Sequence, residues 1–304
     1  MKTSLECLPC YLRQALQTAR IAGVDEEGRR RAVLTVAAFL PELFADKTPP
    51  ENSMAVYAKI AAVTGVADPY QAIKAISNRE ARRALRDLTP LVAAESEPLP
   101  LAIRFAVAGN IIDYGAAAEF DVETVFRRCR DLPLAVDNSA ALIERIRALC
   151  TGDHVLYLCD NAGEIVYDRL LIEKITSHGA AVCAVVKAGP IINDATIADA
   201  REAGLDELAE IIDNGAICPG TPLTLCSSGF LRRFYGASLV IAKGQGNFES
   251  LSECPREIFF LLTVKCPVVG RHLAELAILP RPLPGTGEMA VFHYQPGCQL
   301  PGQN

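Results

Sequence analysis

The stretch His154-Val155-Leu156-Tyr157-Leu158-Cys159-Asp160-Asn161-Ala162-Gly163-Glu164 constrains this chain more than any other. Its first part is a short apolar, β-prone run, the pattern of a strand buried in a parallel sheet. The run ends at Asp160-Asn161, and Gly163 then permits a tight backbone turn. Ile165, Val166, Leu170, Leu171 and Ile175 follow at helical spacing. A carboxylate and a carboxamide therefore sit between the carboxyl end of a strand and the start of a helix. In open α/β sheets ligands bind there. Hard oxygen donors in that place suit Mg²⁺ or Mn²⁺. The free N–H groups and positive dipole end of the helix suit a phosphate. An Asp-Asn pair also serves as a plain helix cap, so the rest of the chain has to decide between these readings.

Strand–helix alternation continues from about residue 151. Strand expectations are 154–159, 181–187, 208–213, 237–243 and 258–264, with helices near 164–177, 196–203, 222–235 and 247–253. This predicts an α/β fold with a mostly parallel, open, Rossmann-like sheet flanked by helices. The first half differs. Ala, Leu, Arg and Glu dominate it, and helices are expected near 8–22, 26–45, 51–65, 69–86, 98–114, 121–130 and 138–149. The expected division is an all-helical region over 1–114 and an α/β region over 115–304. The latter ends in a Pro/Gly-rich tail from Pro280, read as an irregular wrap.

The totals narrow the function. A chain of 304 residues, half of them hydrophobic, can bury a large core. A net charge of −6 argues against nucleic acid as a partner. No secretory pattern opens the chain, and no apolar run nears the roughly 20 residues of a membrane helix. The expectation is a soluble cytoplasmic protein. The 11 cysteines then read as free thiols. Cys7-Leu8-Pro9-Cys10 is the one CxxC, either a soft-metal or redox pair or two thiols at a helix start. His154, His178, His272 and His293 show no ligand spacing.

Polar clusters follow three of the expected strands. They are Asp160-Asn161-Ala162-Gly163-Glu164, Lys187 through Asn193-Asp194-Ala195-Thr196, and Lys243-Gly244-Gln245-Gly246-Asn247-Phe248-Glu249. In a parallel sheet all three fall on one rim. Oxygen ligands there can hold a divalent ion, lysines can offset phosphoryl charge, and glycines bring backbone N–H groups close. Asp160 and Asp194 are the natural anionic ligands. In the first half, Asn110 and Asp113 share a helix face between Gly109 and Gly115. The chain has no Walker A loop, no GxGxxG after a first strand and no GxSxG elbow.

These segments resemble the motifs of the DUF89 family, which includes the damage-control phosphatases and a protein once described as an acidic-residue methyltransferase. Asp68-Pro69-Tyr70 with Lys74 and Asn78 resembles the family's DPY segment, and Gly109-Asn110-Ile111-Ile112-Asp113 its GN-x-x-D segment. Glu6-Cys7-Leu8-Pro9-Cys10 is similar to the CxxC-containing prokaryotic branch. The likeness runs over roughly residues 5–270. It implies a helical part packed on an α/β domain, and a divalent ion (Mn²⁺ or Mg²⁺, with Co²⁺ or Ni²⁺ as alternatives) held by Asp160, Asn161 and Asp194. It implies Glu164 and Lys243 at the phosphate end, with Asn110, Asp113, Lys187, Asn193 and Asn247 near the substrate. Cys266 is a third thiol for the CxxC by loose resemblance. The implied activity is hydrolysis of small phosphorylated metabolites, such as sugar phosphates. The attacking group is water or the Asp160 carboxylate.

Two other readings remain. One is a carboxyl methyltransferase using S-adenosylmethionine, which would favour an acid at the end of the second strand, where Lys187 stands. The other is a non-catalytic metal or nucleotide module whose Cys7 and Cys10 sense redox state or hold zinc. The oligomeric state is not set by the sequence.

Overall fold

The computed structural model describes residues 1–109 and 122–297. The chain opens with five helices: α1 (Cys7–Ile21), α2 (Glu26–Phe39), α3 (Pro49–Thr64), α4 (Gln71–Ala94) and α5 (Pro98–Ala108). Then follow α6 (Val122–Arg130), β1 (Leu134–Asp137), α7 (Ser139–Arg147), β2 (His154–Leu158), α8 (Glu164–Ser177), β3 (Ala181–Val186), α9 (Ile197–Glu202) and β4 (Glu210–Asp213). The last elements are α10 (Ser228–Gly236), β5 (Leu239–Lys243), α11 (Gly244–Leu251), β6 (Ile258–Val264), α12 (Pro267–Leu276) and β7 (Glu288–Tyr294).

Local chemistry sets many of the ends. Thr48 and Glu51 form a capping box at the start of α3, with prolines in its first turn. Asp25 accepts the Gly28 N–H at the start of α2. Helix α4 was expected to stop near residue 86 but runs to Ala94 with Pro90 inside it. Leu88 and Val92 are buried on either side of that proline, so core packing carries the helix past a local breaker.

The strands form one sheet in the order β1-β7-β6-β5-β2-β3-β4, parallel except for the β6–β7 pair. The expected mostly parallel α/β sheet is present. Strand β2 buries side chains on both faces. Val155 and Tyr157 join a core with α4, α5 and α8, while Leu156 and Leu158 join one with Phe230, Phe248 and Phe260. Burial on both faces is why its sequence is apolar throughout instead of alternating. From β2 the chain proceeds to β3 and β4 on one side, then returns to β5 on the other. The sheet's switch point therefore lies between β2 and β5.

The amino-terminal helices divide by core. Tyr11, Ala15, Val36, Val56 and Ile60 of α1–α3 make a small separate cluster. Helices α4 and α5 share the main core with α8. The expected boundary at residue 114 lies outside the described residues.

Three elements differ from the sequence expectations. Strand β1 lies between two expected helices where nothing was assigned, helix α12 had no counterpart, and β7 replaces part of the irregular tail. Met289-Ala290-Val291-Phe292 is a buried β-prone run, but Pro and Gly punctuate both of its flanks and mask it. Strand β7 pairs with both β1 and β6, so it joins β1 to the sheet. A chain ending before Glu288 should lose its cooperative thermal transition, followed by circular dichroism, because β1 loses its partner and β6 is left as an apolar edge. An unchanged transition would show that β7 is dispensable.

Candidate active site

The loop after β2 is pinned from two sides. Cys159 N–H donates to Val185 O (2.9 Å), which carries the β2–β3 pairing past the strand end. Gly163 adopts a φ of 81°, and a Cβ there would stand 2.9 Å from the Ser77 Cβ on α4. Its N–H donates to Asn78 Oδ1 (2.7 Å). The Asn78 amide in turn donates to Asp199 Oδ1 (3.1 Å) and Glu202 Oε2 (2.9 Å) of α9. Asp199 also caps α9 with Thr196, and Lys74 stands 3.3 Å from Asp68 and 3.6 Å from Asp199.

The loop after β3 folds back over the first. Ala195 N–H donates to Asp160 O (2.8 Å), Ala162 N–H to Asn193 O (2.9 Å), and Asn161 and Asp194 form an antiparallel bridge. Asp194, distant in sequence, is thus a neighbour of Asp160 and Asn161. The loop after β5 closes the third side. Gly244 has a φ of 79°, and a Cβ there would fall 2.0 Å from Asp160 Oδ2, so a side chain at 244 would occupy the carboxylate's place.

Asp160, Asn161, Glu164, Asp168, Lys187, Asp194, Lys243 and Asn247 are all buried. Lys243 Nζ donates to Glu164 Oε1 (2.7 Å) and Asp168 Oδ1 (2.6 Å). Asp168 also accepts from the Tyr157 hydroxyl (2.7 Å). The Lys243 ammonium, expected at the phosphate end beside Glu164, lies between these two carboxylates. Lys187 is nearer the metal loop, with Nζ 3.7 Å from Asp194 Oδ2, 3.0 Å from Gly220 O and 3.2 Å from Asn247 Oδ1. Asn247, expected near the substrate, has its amide engaged with the protein. It donates to Cys159 O (3.2 Å) and Lys243 O (2.8 Å) and accepts from Thr221 (2.7 Å). It ties the ends of β2 and β5 together. Asn193 contributes its backbone carbonyl to the loop, and its side chain is half-buried. Asn110 and Asp113 lie outside the described residues. Gly109, just before them, packs against the Glu164 side chain.

Burial dominates the titration of these groups. It pushes Asp160 up to about 7, with the Glu164 charge adding to the effect. Burial also pushes Asp168 up to about 6, although Lys243 opposes the shift. Asp194 is raised well above the usual carboxylate range by burial, partly offset by Lys187. Burial alone would lower the Lys243 pKa, but Asp168 and Glu164 outweigh it and hold the ammonium charged.

The donor set fits a hard divalent ion. Four buried carboxyl groups (Asp160, Glu164, Asp168 and Asp194) accompany two buried ammoniums (Lys187 and Lys243), so two acids have no buried cation of their own. Asp194 Oδ2 is buried without a hydrogen-bond partner. Asn161 donates its amide to Asp160 Oδ2 (2.8 Å) and Glu164 Oε2 (3.2 Å), which leaves its carbonyl oxygen for a cation. Among the described residues no three His, Cys, Asp or Glu side chains gather as a metal cluster, so the fit rests on two carboxylates and a carboxamide. Cys7 and Cys10 are half-buried at the start of α1, and Cys266 precedes α12. Burial pushes the Cys7 thiol up to about 11, unlike a reactive thiolate.

The sequence reading missed Asp168 and Thr221. Asp168 lies one turn after Glu164 on α8, a spacing that puts both carboxylates on one helix face.

Comparison with known proteins agrees with this architecture. The model of the damage-control phosphatase ARMT1-like domain matches residues 3–277. The damage-control phosphatase PH1575 of Pyrococcus horikoshii is 37% identical over 278 residues, covering 90% of this chain and 94% of that protein. A protein of Archaeoglobus fulgidus named damage-control phosphatase is 34% identical over 278 residues, covering 90% of this chain and 96% of its own length. The crystal structure of a DUF89 family protein from Pyrococcus horikoshii superposes with a TM-score of 0.84 at 33% identity, covering 97% of this chain and 100% of that one.

Replacing Lys243 with Met should destabilise the fold by about 3–5 kcal/mol, because Glu164 and Asp168 would be left buried without their cation. Urea unfolding measures this, and a loss below about 1 kcal/mol would show that the enclosed ion pair is not a structural element.

Proposed function

The chain belongs to the damage-control phosphatase ARMT1-like domain family, and from that premise we propose that it hydrolyses small phosphate monoesters with a divalent ion held by Asp160, Asn161 and Asp194. One observation carries the reading: two buried carboxyl groups without a buried cation of their own lie beside two helix starts that no side chain caps. The helices are α8 and α11, which begin at Glu164 and Gly244. Carboxylates in this number favour a cation, and open helix N-termini favour an anion. A phosphate ester and its metal satisfy both.

The residues divide the work. Asp160, Asn161 and Asp194 would hold Mn²⁺ or Mg²⁺, which when bound supplies charge neutralisation and polarises the phosphoryl group. Lys187 offsets charge near Asp194. Lys243 fixes Glu164 and Asp168 and acts on the phosphate only through them. Gly244 and Gly246 bring the first N–H groups of α11 to the rim without side chains in the way. We take the attacking group to be water: its oxygen bonds to phosphorus as the ester bond breaks, and one of the water's protons ends on the leaving alkoxide, giving an alcohol and phosphate. Damaged or overflow metabolite phosphates, sugar phosphates among them, are the substrates this reading suggests. The comparisons name phosphatases among the relatives, which supports hydrolysis over methyl transfer or a non-catalytic role.

Asp160→Ala should lower metal-stimulated phosphate release from an aryl phosphate by about a thousandfold or more. Activity equal to that of the wild type would remove the assignment.

The raised carboxylates give a pH signature. Asp160 holds its proton more tightly folded than unfolded, so in the metal-free protein its contribution to stability falls as pH rises from about 4 to about 7, and Asp194 acts in the same direction. A cation competes with those protons. Added Mn²⁺ should therefore raise the melting temperature more at about pH 8 than at about pH 5.5. Equal shifts at both would mean that the ion binds elsewhere.

A further inference from the structure

The Cys7-Leu8-Pro9-Cys10 motif takes no part in the proposed reaction, yet it has a third thiol for company. Among the described residues four cysteines are half-buried, and three of them, Cys7, Cys10 and Cys266, lie where the start of α1 meets the start of α12. An ion pair joins the two helices there: Arg271 of α12 stands 2.7 Å from Glu6, the residue before Cys7. Burial raises the Cys7 thiol, with Glu249, Cys266 and Cys10 adding to it. Burial raises Cys266 as well, and Glu249 and Cys10 add to that rise. The three sulfurs are therefore within one another's electrostatic reach. All three are free thiols, and they lack the spacing of a metal cluster.

Cys266 stands at the N-cap of α12, where the N–H groups of Val268 and Val269 act on its sulfur and offset part of the rise caused by burial. A thiolate is favoured by such a place. The sulfur also accepts from Gln245 Nε2 (3.8 Å). Gln245 is the second residue of α11, so it connects this thiol to the rim. Its Nε2 donates to Glu249 Oε1 (2.9 Å) as well, and its Oε1 accepts the Lys265 N–H (2.9 Å). On the other side of the cluster, Gln14 Nε2 donates to the Cys10 sulfur (3.6 Å).

We propose that Cys266 and the CxxC pair form a reversible disulfide site: a small-molecule disulfide oxidises it, Cys266 bonds to Cys7 or Cys10, and the hold on phosphate weakens through Gln245. The bond stands on the thiols alone, while its effect rests on phosphate being held at the start of α11. Cys7, pushed up to about 11, is slow to open the reaction, which gives the first step to Cys266. The Cys266 thiolate attacks one sulfur of the oxidant and breaks its S–S bond, and the thiolate released takes the proton that Cys266 gave up. A CxxC thiolate then attacks the Cys266 sulfur, and the second small thiolate leaves and takes that proton. Two protein thiols lose two electrons and two protons, and one small disulfide becomes two thiols. Bonded sulfurs stand about 2 Å apart, so closing the bridge moves the Cys266 sulfur from where it meets Gln245. The amide that braces Lys265 and Glu249 then loses a partner.

The full chain is incubated with glutathione disulfide, its remaining thiols are blocked, and tryptic peptides are read by mass spectrometry without reductant. The peptide Cys266–Arg271 should appear joined to Thr3–Arg13, which carries both CxxC thiols, and dithiothreitol should separate them. Cys266→Ala should abolish the joined pair, and so should the double substitution Cys7→Ser with Cys10→Ser. Calorimetry with inorganic phosphate in Mg²⁺ reads the coupling. Oxidation should weaken binding about fivefold, on the scale of one lost hydrogen bond, and should have no effect in Cys266→Ala. Reduced Gln245→Ala should bind phosphate about as weakly as the oxidised chain, and its oxidation should add less than about twofold. Absence of the joined pair, or bonding confined to Cys7 and Cys10, overturns the site. A joined pair with unchanged phosphate affinity overturns the coupling through Gln245. Reduced protein that binds no phosphate in Mg²⁺ overturns the reading of the rim and leaves the disulfide standing.

Discussion

The enclosure of Lys243 by Glu164 and Asp168 fixes the geometry on which everything else depends. Strand β5 supplies the ammonium and helix α8 supplies both carboxylates, so the ion pairs join the two sides of the sheet's switch point. Buried charges of this kind tolerate only well-aligned partners. The start of α8 is thereby held in place, and with it the turn that carries Asp160 and Asn161. Asn247 does similar work with neutral bonds, joining the ends of β2 and β5 through Cys159 O and Lys243 O. The rim's side chains are thus held by partners within the protein, the kind of support that preorganised sites use.

The helical region contributes more than a cover. Through Asn78 it holds the Gly163 N–H beside Asp160, and through Asp199 it reaches the capping box just after Asp194. One side chain of α4 thus supports both the loop of Asp160 and the loop of Asp194. Lys74 balances part of that network from the same helix face. The same region walls a cavity beside the Asp194 loop, so the helices that position the site also shape the space next to it.

The loops were legible in the sequence because their residues break the local pattern. An Asp-Asn after an apolar run, or a Lys-Gly-Gln-Gly-Asn after another, has no reason to be there as packing alone. The sheet was legible because double-sided burial writes continuous apolar runs. Roles were less legible than positions. Lys243 and Asn247 sit where expected, yet their polar atoms face inward, because the partners that claim them, Asp168 and the carbonyls of Cys159 and Lys243, are set by tertiary contact. Strand β7 was hidden for a related reason. Its signal is local and weak, its flanks are rich in Pro and Gly, and its identity as a strand comes from pairing with β1 and β6.

Charge also orders the two ligands of the proposed reaction. Without a cation, the rim presents Asp160 and Asp194 to any phosphate ester, and a dianion would be repelled despite the open helix N-termini nearby. Neutral Asp160 would lessen that repulsion, but it would give up the charge that holds the ion. In the proposed reaction a divalent ion would displace the protons of Asp160 and Asp194 and balance their charge, leaving the N–H groups of α8 and α11 and the Lys187 ammonium as the remaining field. On that proposal the cation binds before the ester, which then meets a site whose remaining polarity is positive.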